Sequence, residues 1–173
     1  MFKVLLPTLA ALLAAHMGAA PAAESYPGKP LRIVHGYPGS SSETNARHIA
    51  QRLTETLGQP LVLDNRPGAT GIIAIETVVR APADGYTLLA TPGSALTSSP
   101  RLHSKIAVDT LRDLKPVIQL GAFSYVLIAH PGVPAKTVKE LIALARAKPG
   151  VLTYGSTGLG SGFHLAGELF ATM

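Results

Sequence analysis

Two clusters of small polar residues in this chain have the composition of anion-binding loops. The first is Gly39-Ser40-Ser41-Ser42, followed by Glu43. The second is Gly155-Ser156-Thr157-Gly158-Leu159-Gly160-Ser161-Gly162. Each lies between an apolar stretch that reads as a strand and a segment that reads as a helix. Free N–H groups and the positive end of the dipole make a helix start attractive to anions. Glycine lets the backbone approach a ligand, and hydroxyls add neutral donors. Such a pair suits a small carboxylate held between two lobes. Thr91 and Ser94, after a third apolar segment, extend the same polar edge. The candidate ligand-binding residues are therefore Ser40, Ser41, Ser42, Glu43, Thr91, Ser94, Ser156, Thr157, Gly158 and Ser161. Plainer roles stand beside these. The second loop also serves as a tight strand-to-helix connection. Glu43 either receives a donor from the ligand or only closes a capping box.

Other chemistries find less support. The second loop lacks the Gly-Lys-Ser/Thr of a P-loop and the G-x-G-x-x-G spacing of a dinucleotide site. No G-x-S-x-G elbow is present, so a hydrolase serine has no motif. His164 and Glu168 are spaced i, i+4, half of a metal site with no partner nearby in sequence. His35 and His48 have no evident catalytic neighbour, and no carboxylate pair suggests acid/base work. Neither a metal nor a cofactor is expected. Arg66 in Asn65-Arg66-Pro67-Gly68 could clamp an anion, but stabilising its turn is the more natural role.

The elements that position these loops follow from periodicity. Leu31–Val34 reads as a buried strand. Ser40 and Glu43 open a helix by a capping box, with Ala46, Ile49, Ala50, Leu53 and Leu57 on one face and Gly58 ending it. Leu61–Leu63 is a second strand and Tyr86–Ala90 a third. Between them Gly71–Arg80 is a helix with Ile72, Ile75, Val78 and Val79 inward. Further strands are expected at Val117–Leu120, Tyr125–Ala129 and Val151–Tyr154. Thr137–Ala147 is a helix opened by a second capping box, Thr137 with Glu140. The last helix puts Phe163, Ala166, Leu169 and Phe170 on one face. This alternation implies an α/β protein with mainly parallel sheets, whose ligands bind beyond the carboxyl ends of the strands.

Composition narrows the class. Of 173 residues, 47% are hydrophobic and 14% charged, enough for a core and too apolar for disorder. The net charge of +5 is scattered, with few aromatics, so a nucleic-acid stripe or stacking platform is missing. Met1–Ala23 reads as a secretory leader, with Lys3, an apolar run from Val4 to Ala15 and a cleavage site at Ala20-Pro21-Ala22. That run is too short to span about 30 Å of hydrocarbon. No stable membrane insertion is expected once the leader is removed. The chain has no cysteine, which fits export to a bacterial periplasm.

Several segments in order resemble the extracytoplasmic solute receptors of tripartite tricarboxylate transporters, the Bug family. They are Tyr26-Pro-Gly-Lys-Pro30, Leu57-Gly-Gln-Pro60, Asp64-Asn-Arg-Pro-Gly-Ala-Thr-Gly71 and Ala83-Asp-Gly-Tyr-Thr-Leu-Leu89. Arg112-Asp-Leu-Lys-Pro-Val117, Val133-Pro-Ala-Lys-Thr-Val-Lys-Glu-Leu141 and the stretch from Lys148 to Phe170 follow. The resemblance implies a type II periplasmic-binding-protein-like α/β fold, two lobes with mainly parallel sheets. It implies capture of a small organic carboxylate for membrane transporter subunits, without chemistry, by backbone donors and ordered water from the two loops. Ser40 stands where the family usually has a second glycine, and Glu43 where it has aspartate. Family members are about twice this mature length, so the second lobe is expected to be incomplete. The expected division is a leader at 1–23, lobe 1 at 24–122 and the start of lobe 2 at 123–173. The 173 residues alone are expected to be marginally folded and to bind weakly, unless a dimer or a separately encoded remainder completes them. The alternatives are a periplasmic hydrolase or transferase using the Ser-rich loops, a non-functional truncated fragment, or a scaffold that binds protein.

Overall fold

The structure is a computed structural model that describes residues 25–103 and 107–173. The leader expected at Met1–Ala23 lies outside the described residues. A three-stranded parallel sheet forms the centre, in the order β2-β1-β3, from β1 (Leu31–His35), β2 (Leu61–Asn65) and β3 (Thr87–Ala90). His35, at the end of β1, pairs with Asn65 on one side and Ala90 on the other. The carboxyl ends of all three strands therefore lie at one edge.

The strands are joined by α1 (Ser41–Leu57) and α2 (Ile72–Val79). Ser40 is the N-cap of α1, and Gly58 ends that helix in the left-handed region at φ 66°, its N–H donating to Thr54 O. Ala46 and Ala50 of α1 pack with Ile33 and Ala90, flanked by Leu61, Leu63 and Leu88. On the expected inward face, Leu53 and Leu57 stay exposed. Ile72 and Ile75 of α2 pack with Ala95, against Tyr37, Leu89 and Leu96. Burying an aliphatic side chain of this size contributes about 1.5–3 kcal/mol.

After β3 the chain coils through α3 (Gly93–Thr97), α4 (Ser99–Leu102) and α5 (Thr110–Asp113). The stretch expected as a polar loop from Thr91 to Ser94 is thus partly helix. Further on are α6 (Val138–Ala147) and α7 (Gly162–Thr172). The capping box expected at Thr137 and Glu140 is present with both of its bonds.

The three later strands are not formed. Val117–Leu120, Tyr125–Ala129 and Val151–Tyr154 carry no strand pairing. Val117, Ile118, Val126 and Ile128 are each more than three-quarters exposed. A parallel strand is held by its neighbours' hydrogen bonds, and no neighbour for these lies among the described residues. Two tyrosines do organise this region. A side chain at Gly162 would collide with the Tyr125 ring, and one at Gly167 with the Tyr154 ring. Both glycines of α7 thus admit an aromatic, and Tyr125 stacks edge-on with Phe163 at 5.0 Å between centroids.

Candidate functional site

The site begins with His35, which is fully buried at the end of β1. The Tyr37 N–H donates to His35 Nδ1 at 3.1 Å, and His35 Nε2 lies 3.1 Å from Ser42 Oγ. Ser42 Oγ is 2.8 Å from Ser40 Oγ, and Ser40 Oγ donates to Tyr37 O at 2.6 Å. Ser40 Oγ also accepts from the Glu43 N–H at 3.2 Å, as an N-cap should. The first loop is therefore folded back on the strand it leaves.

Glu43 is buried too, and its carboxylate is surrounded by donors of the protein itself. Asn65 Nδ2 donates at 2.8 Å, the Gly39 N–H at 2.5 Å, and Arg47 from two nitrogens. The Asn65 amide, the Gly39 N–H and Arg47 hold the Glu43 carboxyl at about 2, well below the usual carboxylate range. The expected capping box differs in one detail: Glu43 reaches Gly39, not the N-cap backbone. Its extra methylene over aspartate carries the carboxylate past Ser40 to the glycine before it.

Tyr37 links this loop to the rest of the edge. Its hydroxyl donates to Thr70 O at 2.6 Å. A side chain at Gly71 would meet the Tyr37 ring at 2.8 Å, and Gly71 has φ +88°. Only glycine satisfies both demands. Thr70 itself is held in the left-handed region at φ 50°, unusual for a β-branched residue. Burial pushes the Tyr37 phenol up, with Ser99 opposing it. Its proton stays on the bond to Thr70.

The second loop arrives on the same residues. A Cβ at Gly158 would lie 3.3 Å from Thr70 Oγ1, with φ +114°. One at Gly160 would lie 3.1 Å from the Ser99 Cα. Ser161, 2% exposed, caps α7 by accepting from the His164 N–H at 3.2 Å. An open cleft of about 430 Å³ lies beside this contact, between Ser94 of α3 and Gly162 of α7, with Tyr125 in its wall. A larger cavity of about 540 Å³ lies around His130 and Glu140 and holds none of the candidate residues. Apart from the Glu43–Arg47 pair, which the first loop holds internally, the residues brought together here are uncharged, with glycines where backbones approach closely.

Residues 45–173 match the family described as the tripartite tricarboxylate transporter family receptor. The chain belongs to this receptor family. It is 38% identical over 150 residues to protein BugT of Bordetella pertussis, covering 86% of this chain and 46% of that protein. It is also similar to the solved structure of R. palustris Rpa4515 with adipate, with 36% identity and a TM-score of 0.73. A solved periplasmic transporter gives 33% identity and a TM-score of 0.74. Each solved match covers 86% of this chain and 50% of the other. The chain thus spans about half the length of the curated relatives and solved structures it matches. The likeness places the α/β fold with its parallel sheet among those of periplasmic binding proteins.

Within this receptor fold the expected site residues separate into groups. Gly158 is brought to Thr70, while Ser94 and the residue after Ser161 share the cleft. Ser40, Ser42 and Glu43 are engaged inside the first loop. Ser41 is exposed at its surface, and so are Ser156 and Thr157. Ser156 accepts from the Gly158 N–H at 3.3 Å. Thr91 has a buried hydroxyl without a hydrogen-bond partner. Arg66 stabilises its turn, bonding Asp64 at 3.1 Å. His164 Nε2 stands 4.0 Å from Glu168, which accepts instead from the Tyr154 hydroxyl at 2.5 Å. Among the described residues no group of three or more metal-ligating side chains forms. No described helix is long and apolar enough to cross a membrane.

His35, Tyr37, Asn65, Thr70 and Ser99 were not among the candidate ligand-binding residues. A histidine followed by Gly-Tyr at a strand end has no motif value alone. The clue available was Thr70-Gly71 after a Pro-Gly turn, a pattern that calls for unusual backbone.

Proposed function

We propose that this chain is the solute-binding part of an exported receptor that captures a small organic carboxylate and delivers it to membrane transporter subunits. The convergence of the Gly158–Gly160 turn on Thr70 and Ser99 carries the reading, because Thr70 is bonded by Tyr37 beside the first loop, so the second loop comes to the carboxyl edge of the sheet. The adipate in the R. palustris relative supports a carboxylate as solute. The leader pattern read in the sequence at 1–23 and the absence of cysteine support export to the periplasm. Residues 24–122 serve as lobe 1 and 123–173 as the beginning of lobe 2. Uncharged donors hold the carboxylate, so no covalent step and no cofactor is needed.

The hydrolase alternative meets a specific obstacle at Ser42. A general base must present a lone pair to the nucleophile's proton. His35 Nδ1 already accepts from Tyr37, which leaves the proton of a neutral imidazole on Nε2, facing Ser42. His35 therefore donates to Ser42 and cannot take its proton.

Calorimetric titration with a panel of mono-, di- and tricarboxylates, adipate included, tests the receptor reading. Saturable heat with one carboxylate class supports it. Silence across the panel with steady turnover of an ester would replace it with the enzyme reading.

A further inference from the structure

The first loop contains a proton-ordered chain that begins at a buried histidine. Tyr37 O has no hydrogen, so Ser40 is the donor in the 2.6 Å contact between them. Ser40 has only that one proton, so Ser42 must donate across the 2.8 Å contact to Ser40 Oγ. Ser42 then has only lone pairs left for His35, and His35 has its Nε2 proton to give. The direction is fixed throughout: His35 to Ser42, Ser42 to Ser40, Ser40 to Tyr37 O. Both ends are anchored, since the Tyr37 N–H occupies His35 Nδ1.

We propose that His35 is a positioning residue for solute binding: it locks the Ser42 and Ser40 hydroxyls inward and leaves the Ser41 hydroxyl and the N–H groups of Ser41 and Ser42 to face the carboxylate. This rests on the receptor reading above. Among the described residues those three donors carry no internal hydrogen bond, whereas the N–H groups of Gly39, Ser40 and Glu43 are all engaged. The first loop thus offers a compact set of donors and no free acceptor from Glu43, whose carboxylate is held by Asn65, Gly39 and Arg47. It favours the carboxylate end of a solute over an ammonium end.

The device works only with a neutral imidazole. A proton on Nδ1 would face the Tyr37 N–H, donor against donor, and the chain would lose its anchor. Burial holds the His35 pKa down; Glu43 and the Asn65 amide oppose this and Arg47 adds to it. Glu43 and Arg47 face it from α1, and Asn65 from β2. Opposite on β3 is Ala90, which does not titrate. Glu43 keeps its charge throughout the histidine range.

Two measurements on the full chain test this. Ring nitrogen NMR of His35 at neutral pH should report a neutral imidazole protonated on Nε2. An Nδ1-protonated ring or an imidazolium overturns the proposal. Adipate titration should show His35→Leu weakened by about tenfold, the effect of one buried bond left unmade. His35→Gln, whose amide can donate to Ser42 and accept from Tyr37, should rescue most of that loss. Wild type should weaken as the pH falls through the histidine range, and His35→Gln should not. Ser42→Ala breaks the chain one link further on and should match His35→Leu, so a misfolded leucine variant does not spare the idea. Wild-type affinity in both His35→Leu and Ser42→Ala overturns it. If wild type takes no adipate, the receptor reading fails for that solute, and the ring spectrum still decides the proton order.

Discussion

The two halves of this chain treat similar apolar segments in opposite ways. Ile33 and Val34 of β1 are nearly inaccessible, whereas Ile118, Val126 and Ile128 stand exposed. Both sets are β-branched and flanked by turn residues. The difference is that β1 has a parallel neighbour on each side, and the later segments have none among the described residues. Strand propensity therefore marks where a strand can form; partners decide whether it does. The candidate site spans this divide. Its first part is built on the end of β1, the start of α1 and the turn at Thr70 and Gly71, and its second loop meets Thr70 through Gly158 and Ser99 of α4 through Gly160.

Amide hydrogen exchange breaks or sharpens this contrast most directly. The β1 amides should exchange at least about a thousandfold more slowly than those of 117–129, given a domain stability of ordinary size. Equal rates in both would erase the contrast. A core deletion should divide the halves next. Ile75→Ala removes a side chain that is 1% exposed and should cost about 2–5 kcal/mol in chemical unfolding. Ile128→Ala, at 86% exposed, should stay within about 0.5 kcal/mol.

Two glycines give a smaller test of the same kind. Gly71→Ala combines positive φ with a 2.8 Å approach to Tyr37 and should cost about 1–3 kcal/mol. At Gly155 no atom lies within 4 Å of an added Cβ, so Gly155→Ala should leave the melting temperature nearly unchanged. For solute binding the order expected of the second loop is Gly158→Val worse than Ser161→Ala. Ser161→Ala should also lose about 1 kcal/mol of stability, because its hydroxyl caps α7.

The smallest effect is in pH. His35 has a pKa below 6.5 when folded, so the unfolded chain binds its proton first. Stability should fall as pH drops below 6.5 toward that lowered value, and be unaffected above it. Glu43 has the acid's usual sign. Its contribution is complete above 4.5 and is lost as pH falls toward about 2. Melting curves of wild type and His35→Gln separate the two windows, since only the upper one should vanish in the variant.

Much of the first half was legible in the sequence. Ser40 as N-cap and Gly58 as helix stop rest on interactions a few residues long, as does the Thr137–Glu140 capping box of the second half, and the apolar runs of β1, β2 and β3 marked where strands could form. The order of the sheet, β2-β1-β3, and the pairing of His35 with Asn65 and Ala90 were not written locally, because they join segments tens of residues apart. The site divides in the same way. The sequence by itself marked the two Gly/Ser loops and the residues that could donate. Only the tertiary structure decided which of those donors are already used. Ser42 is engaged because β1 ends in a histidine that reaches it, Ser40 because the chain folds back on Tyr37, and Glu43 because β2 brings Asn65 to it. A donor's availability is set by its neighbours in space, and those are fixed by the packing of the sheet.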